Sequence, residues 1–366
     1  MKVICDRTGL VDALNLVSPV AVTRTPKEVL RCVKLNAQEA ALTLAATDLE
    51  LAVWVSMPRV DVGEAGEALV WADKLSQIVR ESTDPTLTLE TEQELVHVRG
   101  QDAHFQIFGH APGDFPPLPQ LTGEPDFQID AGDLHRLVTQ TLFATAKETS
   151  RYAINGVLVE RQANKLTLVA TDGRRLAMAK GHCKAAEADN RTSIIPAKAL
   201  SLLLKFFDDP SQPVRVRLAD NRILFATDEK LLASNLVEGN FPPYRDVIPR
   251  DGDKKATLDA HALASAVRQA ALLTNEESKG VRFAFSANGL TLSSRAPEMG
   301  QAQIDIPILK YDGDPVEIGF NPQFVLDALK IVQTDQVHIE LKAANKPGVL
   351  RTGPDFLYVI MPVSLQ

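Results

Sequence analysis

Residues 154–172 read INGVLVERQANKLTLVATD, two arms of alternating apolar residues about a polar turn, and the pattern returns at LRCVKLNAQEAALTLAATD (30–48) and GVRFAFSANGLTLSSRA (280–296). Alternation of period two marks each stretch as a β-hairpin with one buried face. Each hairpin follows a stripe at i, i+3, i+4 and i+7, the spacing of one helix face. The stripes are Leu10, Ala13, Leu14 and Val17, then Leu134, Leu137, Val138 and Thr141, then Leu263, Ala266, Val267 and Ala270, displaced by 124 and then 129 residues. A second stripe comes after each hairpin: Leu75, Ile78 and Val79; Leu200, Leu203, Leu204 and Phe207; Val325, Ala328, Leu329 and Val332. Pro196 and Pro322 are expected at the first position of their helices, where a missing N–H costs nothing. Two more strand-like stretches complete each copy: TLTLE and LVHVRG, PVRVRLA and RILFAT, QVHIELKA and FLYVIMPV.

Gly113-Asp114-Phe115-Pro116-Pro117 and Gly239-Asn240-Phe241-Pro242-Pro243 close the first two copies, followed by the linker-like LPQLTGEPD and PRDGDKK. The expected architecture is therefore α+β, with three similar domains of helix, strands, helix and strands over residues 1–122, 123–252 and 253–366. So long a period excludes solenoid repeats of roughly 20–50 residues.

Composition narrows the function. The 366 residues are 45% hydrophobic and 23% charged, an ordinary globular balance. Cys5, Cys32 and Cys183 form no CxxC pair, which argues against a disulfide framework or thiolate metal site and fits a reducing cytoplasm. No apolar run approaches the roughly 18 residues that span a bilayer, so no membrane association is expected. A net charge of −8, from 47 acids against 39 bases, argues against a surface that adheres to nucleic acid everywhere, while leaving room for a local basic strip.

No set of residues points to catalysis. The nearest approach to a nucleotide loop, Ala170-Thr171-Asp172-Gly173-Arg174-Arg175, lacks the glycine density and the following helix. The seven histidines (97, 104, 110, 135, 182, 261 and 338) make no HExxH, and His104 and His110 read as separate surface residues. Asp208 with Asp209, and Glu276 with Glu277, read as solvated charge. Neither metal nor cofactor is expected. The polar helix faces are more informative, since Arg136, Gln140, Arg268 and Gln269 lie on the first helices and Lys74, Arg80, Lys198, Lys205 and Lys330 on the second. Bases on equivalent faces of repeated helices are suited to one shared basic surface.

Ala46-Thr47-Asp48-Leu49-Glu50, Arg151-Tyr152 with Asn155-Gly156, Ala170 through Ala177, Phe241-Pro242-Pro243-Tyr244-Arg245 and Met361-Pro362, in this order, resemble one family along the whole chain: the bacterial sliding clamp, the beta subunit of DNA polymerase III. The resemblance implies a non-enzymatic processivity factor. Two chains would join head to tail in a six-domain ring, helices inside and sheets outside, that encircles double-stranded DNA without reading its sequence. It implies as partners the polymerase III alpha subunit, the clamp loader, and other polymerases and repair proteins that dock through short linear motifs. The peptide pocket it implies comprises Ile154, Thr171, Gly173, Arg175, Leu176, Pro242, Val247, Val359, Met361 and Pro362. DNA-facing positions would be Arg24, Lys74, Arg80, Arg136, Lys198, Lys205 and Arg268, and the homodimer interface Phe105 and Ile107 against Leu272 and Leu273. Asp246 stands where the family commonly has a base, and Ser364 with Gln366 replaces a basic carboxyl terminus. The alternative from another class is an interaction scaffold of three repeats that does not bind DNA.

Overall fold

The computed structural model describes every residue except 148–151, 186–189, 220, 275–279, 298 and 366, so Arg151, Glu276, Glu277 and Gln366 lie outside the described residues. Its α-helices come in pairs along the chain: α1 (Arg7–Val17) and α2 (Ala72–Glu81), α3 (Ala131–Leu142) and α4 (Ala197–Leu203), α5 (Ala260–Ala271) and α6 (Pro322–Leu329). Every residue of the three first-helix stripes is buried. None of these helices is long and apolar enough to cross a membrane.

The helix starts are set by side-chain caps. Asp6 Oδ2 accepts from Gly9 N at 2.7 Å and Asp259 Oδ1 from Ala262 N at 2.7 Å, each holding one of the amides that a helix start leaves without a partner. Asn321 caps α6 in the same way and Pro322 opens it, as expected. Pro196 does not open α4. It ends the strand Asn190–Pro196 opposite Gly156, and the helix begins one residue later and stops at Leu203.

The chain packs as two compact units. The first comprises Met1–Gly132, Cys183–Glu187 and Lys198–Leu236. It holds a 14-stranded antiparallel sheet in which the first repeat's strand Leu51–Pro58 lies between Ala41–Thr47 and the second repeat's strand Lys230–Asn235. Helices α1 and α2 pack side by side, with Ser18 Oγ and Ser76 Oγ 2.7 Å apart, and α1 covers Leu51–Pro58. Among the described residues, the strand His104–His110 pairs along residues 104–108 with Leu95–Arg99 alone.

The second unit comprises Asp133–His182, Ala188–Ala197 and Val237–Gln366. In its nine-stranded sheet the second repeat's strand Arg175–His182 lies between Lys165–Thr171 and the third repeat's strand Phe356–Ile360. Its four-stranded sheet ends at Gly300–Ile306, which among the described residues pairs only with Gly289–Ala296. Helices α5 and α6 pack together, and α5 lies on Gly300–Ile306.

All three cysteines are buried, and burial pushes the Cys5 and Cys32 thiols up to about 12. Neither carries appreciable thiolate at neutral pH.

Candidate functional site

The turn from Thr171 to Leu176 is built by its own side chains. Thr171 Oγ1 donates to Arg175 O at 2.6 Å and accepts from Gly173 N at 3.1 Å, while Asp172 Oδ1 accepts from the amides of Arg174 and Arg175 at 3.0 and 3.1 Å. These bonds hold Gly173 at φ +86, where a side chain would be strained, and a Cβ there would meet nothing within 4 Å. The backbone is bare at that point. Beyond the turn, Arg175 and Leu176 lie opposite Ile360 and Val359, and Met361 N donates to Arg174 O at 2.9 Å. The chain end is thus laid along the turn. It is held again where Val363 N donates to Gly319 O at 2.9 Å.

Arg175 locks the site. Its guanidinium donates to Asp172 Oδ2 at 2.9 Å, Asp327 Oδ2 at 2.7 Å and Phe143 O at 2.9 Å, and lies 4.5 Å from the Phe324 ring centroid. Burial alone would lower its pKa, but the hydrogen bond to Asp327, the neighbouring Tyr358 hydroxyl and the charge of Asp172 together outweigh that and hold it above its ordinary value. The arginine is charged at every relevant pH and serves as a strut.

Leu176 and Val359 belong to an apolar floor with Ala153, Leu158, Val169, Ile194, Tyr244, Val349 and Leu357, against which Met178, Val237, Phe241 and Ile248 pack. Of the ten expected pocket residues, Ile154, Thr171, Leu176 and Val359 are buried, and Arg175, Pro242 and Pro362 are half-buried. Gly173, Val247 at 51% and Met361 at 41% are exposed. Hydrogen bonds and strand register join Thr171, Gly173, Arg175, Leu176, Val359 and Met361 directly. Pro242 and Val247 flank the 3-10 turn Tyr244–Asp246 and each shares a backbone hydrogen bond with Tyr244, and Ile154 adjoins Ala153 of the floor. The sequence reading missed Tyr244 as a floor residue. Its hydroxyl donates to Glu160 Oε2 at 2.8 Å, and Arg245 meets the same oxygen at 2.8 Å. A buried aromatic inside a Pro-rich linker was the available signal. Asp246 and Ser364 are both exposed.

The expected DNA-facing bases are less uniform. Arg24, Lys74, Arg80, Lys198, Lys205 and Arg268 are exposed. Lys198 Nζ is 2.6 Å from Asp48 Oδ2, Arg80 donates to Asn15 at 3.1 Å, and half-buried Arg136 is held by Asp133 at 3.1 Å and Gln140 at 3.2 Å. Among the expected interface residues Leu272 is 78% and Phe105 41% exposed, Leu273 is half-buried, and Ile107 is buried at 7%. Phe108, 79% exposed on the same strand, was missed. His104 is not a lone surface residue: its Nε2 lies 2.9 Å from His97 Nδ1, while His110 sits edge-on to Trp71.

A triplicated α+β chain whose expected site residues gather where two repeats join strand to strand defines a class of binding protein. Family models for the N-terminal, central and C-terminal domains of the DNA polymerase III beta subunit match residues 1–119, 128–243 and 245–364, and the chain belongs to that family. It is 32% identical over 362 residues to the beta sliding clamp of Pseudomonas putida, covering 98% of both chains. It is 31% identical over 368 residues to that of Vibrio cholerae, covering 100% of both. The structure superposes on the Pseudomonas aeruginosa sliding clamp bound to griselimycin with a TM-score of 0.94 at 32% identity, and on the Bacillus subtilis clamp with 0.93 at 26%, each over 100% of both chains.

Replacing Asp327 with Asn leaves the buried guanidinium of Arg175 short of one anionic partner and is expected to cost about 1–3 kcal/mol in urea unfolding. Wild-type stability of this variant would show that Asp172 and Phe143 O suffice to hold Arg175.

Proposed function

We propose that this chain is a DNA sliding clamp, a non-enzymatic protein that encircles duplex DNA and tethers the replicative polymerase. One observation carries the ring. Each junction between repeats is made by the same two strands: Leu51–Pro58 with Lys230–Asn235, then Arg175–His182 with Phe356–Ile360. Continuing that rule, the third repeat offers Gly300–Ile306 and the first offers His104–Phe108, both with one edge unpaired among the described residues. Two complementary free edges, one in the third repeat and one in the first, are what a head-to-tail contact between copies requires. Closure of two chains gives a ring of six domains. The three-domain division, 1–122, 123–252 and 253–366, is supported by the family matches to three successive segments.

Exposed Leu272 and Phe105 beside those edges supply an apolar core for the contact, worth about 1.5–3 kcal/mol for each large side chain fully buried. Arg24, Lys74, Arg80, Arg136, Lys198, Lys205 and Arg268 would face DNA in the hole, and enclosure rather than affinity would keep the ring on its track. The same reading puts the protein in the cytoplasm. The polymerase III alpha subunit, the clamp loader, and other polymerases and repair proteins would dock by short motifs on the floor around Leu176 and Val359, rimmed by Gly173, Val247 and Met361. Bare backbone at Gly173 admits a peptide, and flexible Met361 adapts to varied anchors.

Replacing Leu272 and Leu273 with Ala should convert the dimer to a folded monomer in native mass spectrometry, and a persistent dimer would place the interface elsewhere. Met361→Glu should weaken a peptide bearing one Gln and two or three spaced hydrophobic anchors at least tenfold from a micromolar Kd, about −8 kcal/mol. Met361 is exposed, so the fold should survive, and undiminished binding would overturn the pocket.

A further inference from the structure

The turn of the first junction repeats the Thr and Asp bonds of the second, although Leu51 stands where the second has the strut Arg175. Thr47 Oγ1 donates to Leu51 O at 2.9 Å and accepts from Leu49 N at 3.0 Å, and Asp48 Oδ1 accepts from the amides of Glu50 and Leu51 at 3.1 and 2.6 Å. Asn235 N donates to Glu50 O at 2.8 Å, as Met361 N does to Arg174 O at 2.9 Å. The junction has its own apolar floor of Ala52, Leu224, Ala226, Leu231 and Ala233. A linker of the same kind, Phe115-Pro116-Pro117-Leu118, runs beside it, 126 residues before Phe241-Pro242-Pro243-Tyr244.

Two differences close it. Leu49, 48% exposed, stands at φ +77 where the second turn has Gly173 at φ +86, so a side chain projects from this turn where Gly173 has none. Leu121 packs on the alanine-rich floor with Leu118 and Trp54, whereas Val247, its counterpart 126 residues on, is 51% exposed. We propose that the first junction is the same motif-binding groove held in a self-occupied form, with Leu121 as the plug and Leu49 guarding the turn, so that each chain takes one partner motif and not two. This rests on the reading of the second junction as the motif pocket. The floor is the reason the plug works: alanines at 52, 226 and 233 leave a shallow bed that Leu121 fills together with Leu118 and Trp54, and the chain supplies these groups itself.

The test counts peptides per chain by calorimetry and native mass spectrometry, using the peptide with one Gln and spaced hydrophobic anchors. The wild type should bind one per chain. The double variant Leu49→Gly, Leu121→Ala should bind two, and adding Met361→Glu should leave one. With Trp71→Phe to isolate Trp54, the indole emission should shift on peptide addition in the double variant and stay fixed in the otherwise unaltered chain. As the reverse experiment, Gly173→Leu copies the guard onto an open site where nothing lies within 4 Å, and should lower peptide affinity at least tenfold. A folded double variant that still binds one peptide with Trp54 unmoved, or a Gly173→Leu chain that binds at full strength, overturns the proposal while leaving the pocket intact. A wild type that binds none removes the pocket reading and this inference together.

Discussion

A strand edge cannot be left half-buried without partners for its amides and carbonyls, and the architecture follows from how this chain satisfies that demand. In each unit, a strand early in one repeat is paired by the last strand of the next: Leu51–Pro58 by Lys230–Asn235, and Arg175–His182 by Phe356–Ile360. The register is continuous through the seam, with Ala52 opposite Ala233 and Leu176 opposite Val359. A junction made of backbone hydrogen bonds tolerates wide change in side chains. It also explains how one geometry reappears with Gly173 in one turn and Leu49 in the other.

The same seams carry the chemistry. Short polar side chains, Thr47 and Asp48 in one case and Thr171 and Asp172 in the other, fold the turn that starts each paired strand. Arg175 then ties the second turn to Asp327 of α6, so a site edged by exposed residues stands on a rigid support. Rigidity below and exposure above would suit the proposed docking of partner motifs without refolding.

Much of this was legible in the sequence, because helix stripes and hairpin alternation are local signals and every residue of the three first-helix stripes is in the core. The caps Asp6 and Asp259 could have been read from their place just before those stripes. Pro196 misled, since the rule that favours proline at a helix start also allows it at the end of the preceding strand. What stayed hidden was long-range. No local pattern states that the strand ending at Pro58 pairs with the one starting at Lys230, that Tyr244 turns inward to Glu160, or that His104 meets His97. The ten pocket positions came from resemblance, and their division into buried floor and exposed rim is a matter of packing that spacing alone does not reveal.

Charge fits enclosure better than grip. A chain of net charge −8 whose candidate inner bases are partly tied up, Lys198 by Asp48 and Arg136 by Asp133, would make few strong phosphate contacts, and each such contact would steepen the salt dependence of binding. The measurement that bears most directly on this is retention on nicked circular DNA after loading. The ring should remain bound through a high-salt wash and leave once the circle is cut to a linear molecule, whereas release by salt from the intact circle, or retention on the linear form, would contradict it.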